Sequence, residues 1–578
     1  MCGICGIYGE SNPQVIDDML QAVAHRGPDD SEVVVTPRYS VGVARLSLVG
    51  NDRGRQPLIS GDKRLAVLLN GEIYNYRQLQ SLLDCPPSEV SEVETVARLY
   101  ERYGAAAIQK LRGMFALAII DSDRVILARD RFGIKPLFYT RSGGALLFAS
   151  EIKALLKHPS VVPAVNRQAL EEAAVFGFIC SPDLTAFEGI LQVPPGSVVI
   201  ITEGSVKVEQ YYQPTPACFA DGPYYVDSES KRLLNALSST LKQMMTHGND
   251  EKGFYLSGGI DSSLLVALAS EVIGRPVQTF TLYESLKSPD LSPARAVASA
   301  IGSIHTEFRV GAEEYLKELP HYVYHYENPV SGGVFDIHGG VAFHLLSRRI
   351  ADHVRVAFSG EGADELFGGY YWSYCHPLGL SDRIRERLGR IGEPSPEVTR
   401  LVERVFPQPE DERVYQRNVF DLLVEAGLTN YHLWSVDRSS AAFGFEIRPA
   451  YLGESVADFA LSLPIELKVM NGETKRVLRG AARRVLEKYG IGDVVLRQKW
   501  GMPAAIRDVA KQVEEYVVRT FPANRVFDGP FGKYCGTPLE AMMFDLFHWI
   551  FIEQRGSLPE GLDLDEYCRE RRCRPVEY

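Results

Sequence analysis

A cysteine at position 2 is the first residue whose type and place suggest chemistry. The chain begins MCGICGIYGE. Methionine aminopeptidases remove Met1 when the next side chain is small, so we expect the mature chain to begin with Cys2. A cysteine in first position carries a free α-amino group within a few bonds of its thiol, which is the arrangement that an N-terminal nucleophile needs. Cys2 is therefore a candidate catalytic nucleophile.

Cys2 and Cys5 also have the spacing of a redox pair or of half a zinc site. A structural zinc site needs two further ligands, and the sequence holds no second CxxC motif. A thioredoxin-like motif is expected to open a helix after a strand. Cys5 instead lies in a short apolar stretch typical of a buried strand, where a free cysteine acts as a small apolar residue. The pattern therefore favours the nucleophile over the metal or redox site.

A glycine-rich loop at residues 257–263, SGGIDSS, lies between a short apolar segment and an apolar helix. Its glycines let backbone N–H groups approach an anion, its hydroxyls add donors, and the following helix adds positive potential at its N-terminus. The loop lacks the Gly-Lys-Ser/Thr ending of a Walker motif. Asp261 offers a carboxylate, which suits Mg²⁺ bound to phosphate oxygens. The loop predicts a phosphate site with a metal.

A second glycine-rich loop, residues 359–370 (SGEGADELFGGY), follows another short apolar run and carries three carboxylates. In an open parallel sheet, ligands bind outside the carboxyl ends of the strands. If the apolar runs before the two loops are parallel strands, both loops lie at that edge. The second loop therefore supports the phosphate site predicted at the first.

The first 200 or so residues alternate short apolar runs with Gly, Pro, Asn and Asp, and contain few helical patterns. They predict an α+β half rich in sheet, with two sheets packed together. The runs read as buried strands lie at 65–69, 114–120, 125–128 and 146–149, with a helix at 91–103. Residues 211–227 are rich in Pro, Gly and aromatic residues, lack periodicity, and predict a linker.

Strand–loop–helix units follow the linker. We predict strands at 253–256, 277–282 and 354–358 and a helix at 261–272, with mostly helical structure from 375 to 495. Such alternation is typical of a doubly wound, largely parallel α/β sheet. The predicted domains are therefore residues 1–210 and 228–578, joined by the linker 211–227.

Composition excludes several function classes. The 578 residues carry a formal charge of −12, which argues against a nucleic-acid-binding role. No apolar run reaches the 18 or so residues of a membrane span, and the N-terminus lacks the pattern of a secretory signal. The nine cysteines are scattered, which is typical of a reducing, cytoplasmic setting.

The two glycine loops carry a specific resemblance. SGGIDSS resembles the pyrophosphate loop of ATP pyrophosphatases, which split ATP into AMP and pyrophosphate. With residues 359–370, the chain resembles the glutamine-hydrolysing asparagine synthetases over most of its length. The resemblance implies an N-terminal-nucleophile glutaminase domain followed by an ATP-pyrophosphatase domain, with ATP and Mg²⁺ as cofactors. Further matches lie at residues 25–29, 129–137, 288–291 and 497–503.

The resemblance also implies the residues that hold glutamine. Arg45 would pair with the α-carboxylate as a bidentate donor. The Asn70 amide and the Gly71 N–H would form an oxyanion hole for the adduct with Cys2. The implied glutamine-binding residues are Arg45, Leu46, Ser47, Leu48, Val49, Asn70, Gly71, Glu72 and Glu92.

On the synthetase side, the resemblance implies that Glu361 helps to form an acyl-adenylate and that Asp261 and Asp364 hold magnesium. Lys475 would neutralise phosphate charge and stabilise the later tetrahedral intermediate. The implied ATP-binding residues are Leu256, Ser257, Gly258, Gly259, Asp261, Ser262, Leu282, Ser359 and Gly360.

The implied reaction releases ammonia from glutamine at Cys2 and uses it to displace AMP from an activated carboxylate. Aspartate is the leading acceptor, and the alternative is another carboxylic acid of a biosynthetic pathway. A second alternative is that the protein is a non-catalytic binding or regulatory relative. A relative of the β-lactam synthetases is disfavoured because those lose the nucleophilic cysteine. The family suggests small-molecule substrates and a homodimer.

The sequence departs from the family pattern at three places. Glu92 stands where the usual residue is Asp, one methylene shorter, so either weaker use of glutamine or a compensating shift is expected. Residues 330–340 look longer and richer in glycine than the usual acceptor-lining segment, and residues 448–453 also differ. Both segments are expected near the acceptor site. His338, within the first, is interpreted as a core or surface histidine.

Overall fold

The structure of the protein is a computed structural model that describes residues 1–49, 54–83, 91–217, 225–248, 250–329, 337–375, 377–406, 411–498 and 501–573. The predicted linker 211–227 is therefore described only in part, since residues 218–224 lie outside these ranges. Within the described ranges, no helix is both long enough and apolar enough to cross a bilayer.

Most strands of the described residues lie in the first half of the chain. In chain order they are β1 (Cys2–Tyr8), β2 (Asp30–Val35), β3 (Tyr39–Arg45), β4 (Leu58–Ile59), β5 (Leu65–Ile73), β6 (Gly113–Asp121), β7 (Arg124–Arg129), β8 (Phe138–Ser142), β9 (Ala145–Ala149), β10 (Leu191–Gln192), β11 (Ser197–Ile201), β12 (Val206–Gln210), β13 (Lys252–Tyr255), β14 (Gln278–Tyr283), β15 (Ile304–Arg309), β16 (Val356–Ser359) and β17 (Glu446–Pro449).

Helices dominate the second half. In chain order they are α1 (Pro13–Ala22), α2 (Tyr76–Gln80), α3 (Glu92–Tyr103), α4 (Ile152–Leu155), α5 (Arg167–Phe176), α6 (Val226–Thr246), α7 (Ile260–Ile273), α8 (Leu291–Ile301), α9 (Ala312–Tyr326), α10 (Ile337–Ile350), α11 (Ala363–Phe367), α12 (Tyr371–Tyr374), α13 (Pro377–Ile391), α14 (Pro396–Val405), α15 (Glu412–Leu422), α16 (Trp434–Ala441), α17 (Glu454–Ser462), α18 (Arg476–Leu486), α19 (Arg507–Thr520), α20 (Asn524–Phe527), α21 (Pro538–His548) and α22 (Leu564–Cys573). A π-helical stretch, Leu423–Leu433, joins α15 to α16.

Two six-stranded antiparallel sheets form the first half, as the alternation of short apolar runs predicts. Their strand orders are β10–β8–β9–β1–β3–β2 and β12–β11–β7–β6–β5–β4. Alternate residues of the strands, such as Ile4 and Val43 from one sheet and Leu68 and Leu127 from the other, form a shared buried core. Cys2 lies opposite Arg45 in the β1–β3 register. The sandwich thus places the candidate nucleophile beside the candidate carboxylate-binding arginine.

A five-stranded parallel sheet, ordered β15–β14–β13–β16–β17, forms the centre of the second half. The chain runs outward from β13 in one direction, then returns to add β16 and β17 on the other side. Such a reversal creates a crevice at the carboxyl ends of the two strands that flank it. The SGGIDSS loop leaves β13 and the second glycine loop leaves β16, so both open into this crevice. The predicted fold class is confirmed.

Buried charges join the two halves. Arg26 of the first half is fully buried and its Nη2 lies 2.9 Å from Asp437 Oδ2 of the second. Arg438 donates from Nη2 to Glu327 Oε2 at 2.8 Å and also pairs with Glu151, across the interface, at 3.1 Å. Charges buried at this depth are tolerated when they are paired. The interface therefore fixes the halves relative to one another.

Candidate active site

Cys2 begins β1 and is 5 % exposed. Its backbone nitrogen donates to Asn70 Oδ1 at 2.9 Å, and its carbonyl accepts from Arg26 Nε at 3.1 Å. Burial raises the pKa of the Cys2 thiol, while the nearby amino terminus and the Leu46 backbone lower it. Removal of Met1 would turn the nitrogen held by Asn70 into the α-amine of Cys2.

Asn70 offers a free donor beside Cys2. The side chain is fully buried on β5, and its Oδ1 is oriented by the Cys2 nitrogen. Its Nδ2 has no hydrogen-bond partner among the described residues. Because an unsatisfied buried donor costs free energy, it indicates a ligand that supplies the missing acceptor. Gly71 follows with φ 126°, and a Cβ there would overlap the Met114 carbonyl oxygen, so the position requires glycine.

A small cavity of about 30 Å³ lies next to Cys2. Arg45, at the end of β3, is 7 % exposed and donates from Nη2 to Val49 O at 3.4 Å. Of the predicted glutamine-binding residues, Ser47 and Asn70 are not in the wall; the Ser47 backbone N–H donates to Asp29 Oδ2 at 2.6 Å, and Asn70 Oδ1 accepts from the Cys2 nitrogen. The wall contains Met1, Cys2, Arg45, Leu46, Leu48, Val49, Gly54, Gln56, Leu69, Gly71, Glu72, Ser91, Glu92 and Val93.

Two carboxylates form the acidic side of this cavity. Glu72 lies on β5, and Glu92 is the first residue of α3, after the N-cap Ser91. Glu92 Oε1 accepts from the Ile73 backbone N–H at 3.2 Å. Burial and the Glu72 charge raise the pKa of Glu92 to about 7. His247 Nε2 lies 2.6 Å from Glu72 Oε2 and 3.1 Å from Glu92 Oε1.

The crevice of the parallel sheet holds a much larger cavity, of about 300 Å³. Of the predicted ATP-binding residues, all but Gly258 line it; Gly258 instead packs against the start of α8, with φ 65° and no room for a Cβ. Glu361, Asp364 and Lys475 also line it. The predicted synthetase residues are thus brought together at the carboxyl ends of β13 and β16.

Lys475 joins the two predicted metal ligands. Its Nζ lies 2.7 Å from both carboxylate oxygens of Asp261 and 2.6 Å from Asp364 Oδ1. Lys475 has φ 55°, in the left-handed region that is costly for a residue with a side chain. Gly369 packs on this cluster, where a Cβ would overlap Asp364 and Lys475. Two carboxylates therefore converge on one cation in the crevice.

The far wall of the large cavity carries a histidine among acids. His432, on the π-helical stretch, lies 3.5 Å from Glu361 Oε2 and 3.1 Å from Glu365 Oε1. Tyr370 Oη lies 2.8 Å from His432 Nε2 and donates to Glu365. Burial opposes the imidazolium, but Glu365 and Glu361 raise the pKa of His432. Glu361 thus faces the cavity beside a histidine whose pKa is raised.

Family models match both halves of the chain. A glutamine amidotransferase domain matches residues 1–212 and an asparagine synthase model matches residues 232–526. The chain is 30% identical to asparagine synthetase [glutamine-hydrolyzing] 1 of Bacillus subtilis (strain 168), over 97% of this chain and 98% of that relative. The chain belongs to the glutamine-hydrolysing asparagine synthetase family. It is therefore a glutamine-hydrolysing carbon–nitrogen ligase of a family that uses ATP.

Further relatives in the asparagine synthetase family are less similar. The chain is 28% identical to a putative asparagine synthetase [glutamine-hydrolyzing] of Mycobacterium tuberculosis (strain ATCC 25618 / H37Rv), over 87% of this chain and 86% of the relative. It is 27% identical to asparagine synthetase [glutamine-hydrolyzing] 3 of Bacillus subtilis (strain 168), over 87% of each. The resemblance identified from the motifs is confirmed.

The family segment at residues 497–503 supports the phosphate loop, as far as it is described. Arg497 donates from Nη1 to the Ser257 carbonyl at 2.8 Å, and from Nη2 to Asp290 Oδ1 at 2.5 Å. Residues 499 and 500 lie outside the described residues. Asp130, in the segment 129–137, accepts four backbone N–H bonds, from Phe115, Phe132, Ile134 and Lys135. The family match at residues 129–137 therefore has a structural role.

The departures from the asparagine synthetase pattern lie in different places. Residues 330–336 of the altered acceptor segment lie outside the described residues, while Gly339 and Gly340 line the large cavity. Residues 448–453 are not in the described wall of this cavity, but Tyr451 donates from Oη to the Asp261 carbonyl at 3.0 Å, so the expectation that the segment lies near the acceptor site stays a prediction. Arg448 instead donates to the Met244 and His247 carbonyls at the domain interface, because it pairs with the buried Glu446.

Two predictions about single side chains have clear outcomes. His338 is a buried histidine whose Nδ1 lies 2.9 Å from Tyr315 Oη, as expected of a core residue. Cys5 is fully buried, its thiol donates to the Gly42 carbonyl at 3.7 Å, and it packs in a different core from Cys2. The two cysteines thus point to opposite faces of β1.

Sequence reasoning missed several side chains near the two sites. His247 and Glu446 lie near the glutamine cavity on the second half of the chain, where they pair with Glu72 and with the Met1 ammonium, and His432 lines the large cavity. None belongs to a recognisable local motif. The one sequence signal was Glu92, because a glutamate in place of the usual aspartate indicates that the residues packed around it differ from those of the family.

Proposed function

We propose that the protein makes asparagine from aspartate, ATP and glutamine. The observation that carries the proposal is Asn70 Nδ2, which lies beside Cys2 and has no hydrogen-bond partner in the described part of the chain. The second half of the chain also gathers Asp261, Asp364 and Lys475 at the carboxyl ends of its parallel strands. The first site fits release of ammonia and the second fits activation of a carboxylate.

The first half-reaction uses Cys2. Its thiol loses a proton to its own α-amine and attacks the side-chain carbonyl carbon of glutamine. Asn70 Nδ2 and the Gly71 N–H stabilise the oxyanion, which is worth about 2.7–4 kcal/mol per donor in other enzymes. The proton passes to the leaving nitrogen, the C–N bond breaks and ammonia departs. Water then hydrolyses the thioester to glutamate and regenerates the thiol.

Three charged side chains hold the substrate for this step. Arg45 pairs with the α-carboxylate of glutamine, and Glu72 and Glu92 accept from its α-ammonium. Charges of opposite sign on two sides of its α-carbon fix the orientation of the amino acid, so that its amide lies against Cys2. Leu46, Leu48 and Val49 complete the wall.

The second half-reaction takes place in the large cavity. Leu256 and Leu282 pack against the adenosine, and the backbone and hydroxyls of the SGGIDSS loop, with Ser359 and Gly360, bind the phosphates. The β-carboxylate of aspartate attacks the α-phosphorus and pyrophosphate leaves. Ammonia then attacks the activated carbonyl carbon and AMP leaves, which gives asparagine. Glu361, beside His432, lies where it can orient the acceptor.

Asp261 and Asp364 fit a magnesium ion, because the two carboxylates already converge on the Lys475 ammonium. A bound ion would neutralise phosphate charge there. Lys475 holds one carboxylate or a phosphate oxygen, and so keeps positive charge at the reacting phosphate and at the tetrahedral adduct.

Release of pyrophosphate tests the proposal. The assay contains ATP, Mg²⁺ and glutamine, with L-aspartate, no acceptor or a panel of other carboxylic acids. We expect pyrophosphate release that requires aspartate, with asparagine in equal amount. Release with another acid and none with aspartate would contradict aspartate as the acceptor. The matched variant Cys2→Ala should lose glutamine-dependent synthesis and keep synthesis from ammonium salts.

We further propose the domain division 1–210 and 228–578, a homodimer and a cytoplasmic location. The matched ranges of the two family models support the division. Sedimentation of the purified chain tests the dimer, and expression of residues 1–210 alone tests the first domain.

A further inference from the structure

His247 reaches from the second half of the chain to the glutamine cavity. It follows the last residue of α6, at the start of the segment that leads into β13 and the phosphate loop. Its imidazole nevertheless contacts the first domain, through Glu72 at 2.6 Å and Glu92 at 3.1 Å. It is absent from the cavity wall, so it lies behind the two carboxylates.

Contacts on several sides hold this ring in place. The edges of Tyr74 and Tyr76 meet it at centroid distances of 5.0 Å and 6.0 Å. The His247 carbonyl accepts from Arg448 Nη1 at 2.8 Å, which anchors its backbone to β17. The side chain is 8% exposed. The ring orientation is therefore fixed by packing as well as by its two ion pairs.

The contact of His247 with Glu72 and Glu92 changes the net charge of this cluster. When both carboxyl groups are ionised, Glu72 and Glu92 carry two negative charges, and a protonated His247 reduces the sum to one, which a single substrate ammonium can neutralise. Burial opposes the imidazolium, but the hydrogen bonds that it donates to Glu72 and Glu92 raise the pKa of His247 to about 9. His247 is thus protonated at neutral pH. The imidazole uses one oxygen of each carboxylate, and each keeps a second oxygen for a ligand in the cavity.

We propose that His247 is the positioning residue of the glutamine ammonium site, which it completes from the synthetase domain by holding Glu72 and Glu92. The proposal rests on the proposed role of the Cys2 cavity. It also explains Glu92, because the extra methylene lets this carboxylate reach the imidazole while it still faces the cavity. An aspartate would end about one C–C bond short of His247.

The proposal predicts a pH dependence with a definite sign. The charged and titratable groups around His247 are Glu72, Glu92, Tyr74, Tyr76, Arg448 and Glu446. Glutamine binding needs ionised Glu92, so kcat/KM for glutamine rises as pH passes about 7. Without the imidazolium, the two carboxylates repel each other unscreened. The pH at which kcat/KM rises should then increase by about 1–3 units, the usual effect of one nearby charge on a pKa.

His247→Gln tests the role, because glutamine retains a donor but no charge. Glutaminase turnover is measured without ATP or acceptor. We expect KM for glutamine to rise about 10- to 100-fold, as for loss of a charge-assisted hydrogen bond, with kcat within about threefold. His247→Lys should restore most of the affinity. Synthesis from ammonium salts should stay within about twofold, which shows that the variant folds.

Two matched controls separate positioning from packing. His158 forms a comparable His–Glu pair with Glu10, at 3.4 Å, away from the site, and His158→Gln should leave KM and the pH profile unchanged. In a Glu92→Asp background the contact is already lost, so His247→Gln should cost less than about threefold there. A chelator should leave wild-type turnover unchanged; a fall would make the cluster a metal site and overturn the proposal.

The outcomes distinguish this inference from the proposed function. A wild-type protein that hydrolyses no glutamine would overturn both. Normal wild-type turnover with an unchanged KM in His247→Gln, or a raised KM with no shift of the acid limb, would overturn the inference alone.

Discussion

Replacement of Asn70 offers the sharpest check on the glutaminase site, because its two amide atoms have separate tasks. Oδ1 accepts from the Cys2 nitrogen at 2.9 Å, and Nδ2 has no partner among the described residues. Asn70→Asp keeps an acceptor at the same place and removes the donor. Loss of one oxyanion donor costs about 10²–10³ in kcat, or about 2.7–4 kcal/mol, and a carboxylate there also repels the developing negative charge.

Glutamate release should therefore fall by at least about 100-fold in kcat for Asn70→Asp, with little change in KM, because the donor acts on the adduct and not on bound glutamine. Asn70→Ala, which loses both atoms, should fall at least as far. The assay is steady-state glutamate release, with synthesis from ammonium salts as the control for folding. Retention of kcat within tenfold in Asn70→Asp would refute the assignment of Nδ2 as the oxyanion donor.

Three further predictions test the remaining features. Lys475→Met should lower aspartate-dependent pyrophosphate release at least about 100-fold and leave glutamate release unchanged, since only the second site loses its cation; equal losses in both assays would contradict this. Gly71→Ala should lower the free energy of unfolding by at least about 2 kcal/mol in urea titrations, because its φ and the Met114 carbonyl exclude a Cβ; a stable, active variant would contradict it. Arg26→Met should cost up to about 3–5 kcal/mol in the same titration, because it removes one buried cation that pairs with both Glu151 and Asp437, whereas exposed Arg38→Met should cost under about 0.5 kcal/mol.

The sequence predicted those elements whose function depends on residues that are neighbours in the chain. Glycines and hydroxyls between a strand and a helix describe a phosphate loop on their own, and the structure places residues 257–263 between β13 and α7. Cys2 could be recognised because its base is its own backbone nitrogen. Short apolar runs located β5, β6, β7 and β9 to within a few residues, because period and burial are encoded along a strand.

The contacts between the halves could not be predicted in this way. His247 meets Glu72 across 175 positions of sequence, and nothing around either residue encodes the other. Strand β17 escaped detection because Glu446 and Arg448 give it a polar pattern, although both are fully buried as a pair. Ion pairs between residues that are far apart in the sequence can be identified only in the folded structure.

The buried position of Met1 has a consequence for the timing of synthesis. Met1 is 1 % exposed and its ammonium lies 3.3 Å from Glu446, so an aminopeptidase cannot reach it once the halves have docked. Strand β17 is translated about 440 residues after Met1, which at about 5–20 residues per second leaves roughly 20–90 s for processing. A chain that folds first retains its methionine. Expression that outpaces the aminopeptidase should therefore yield a folded population that makes asparagine from ammonium salts and leaves glutamine untouched.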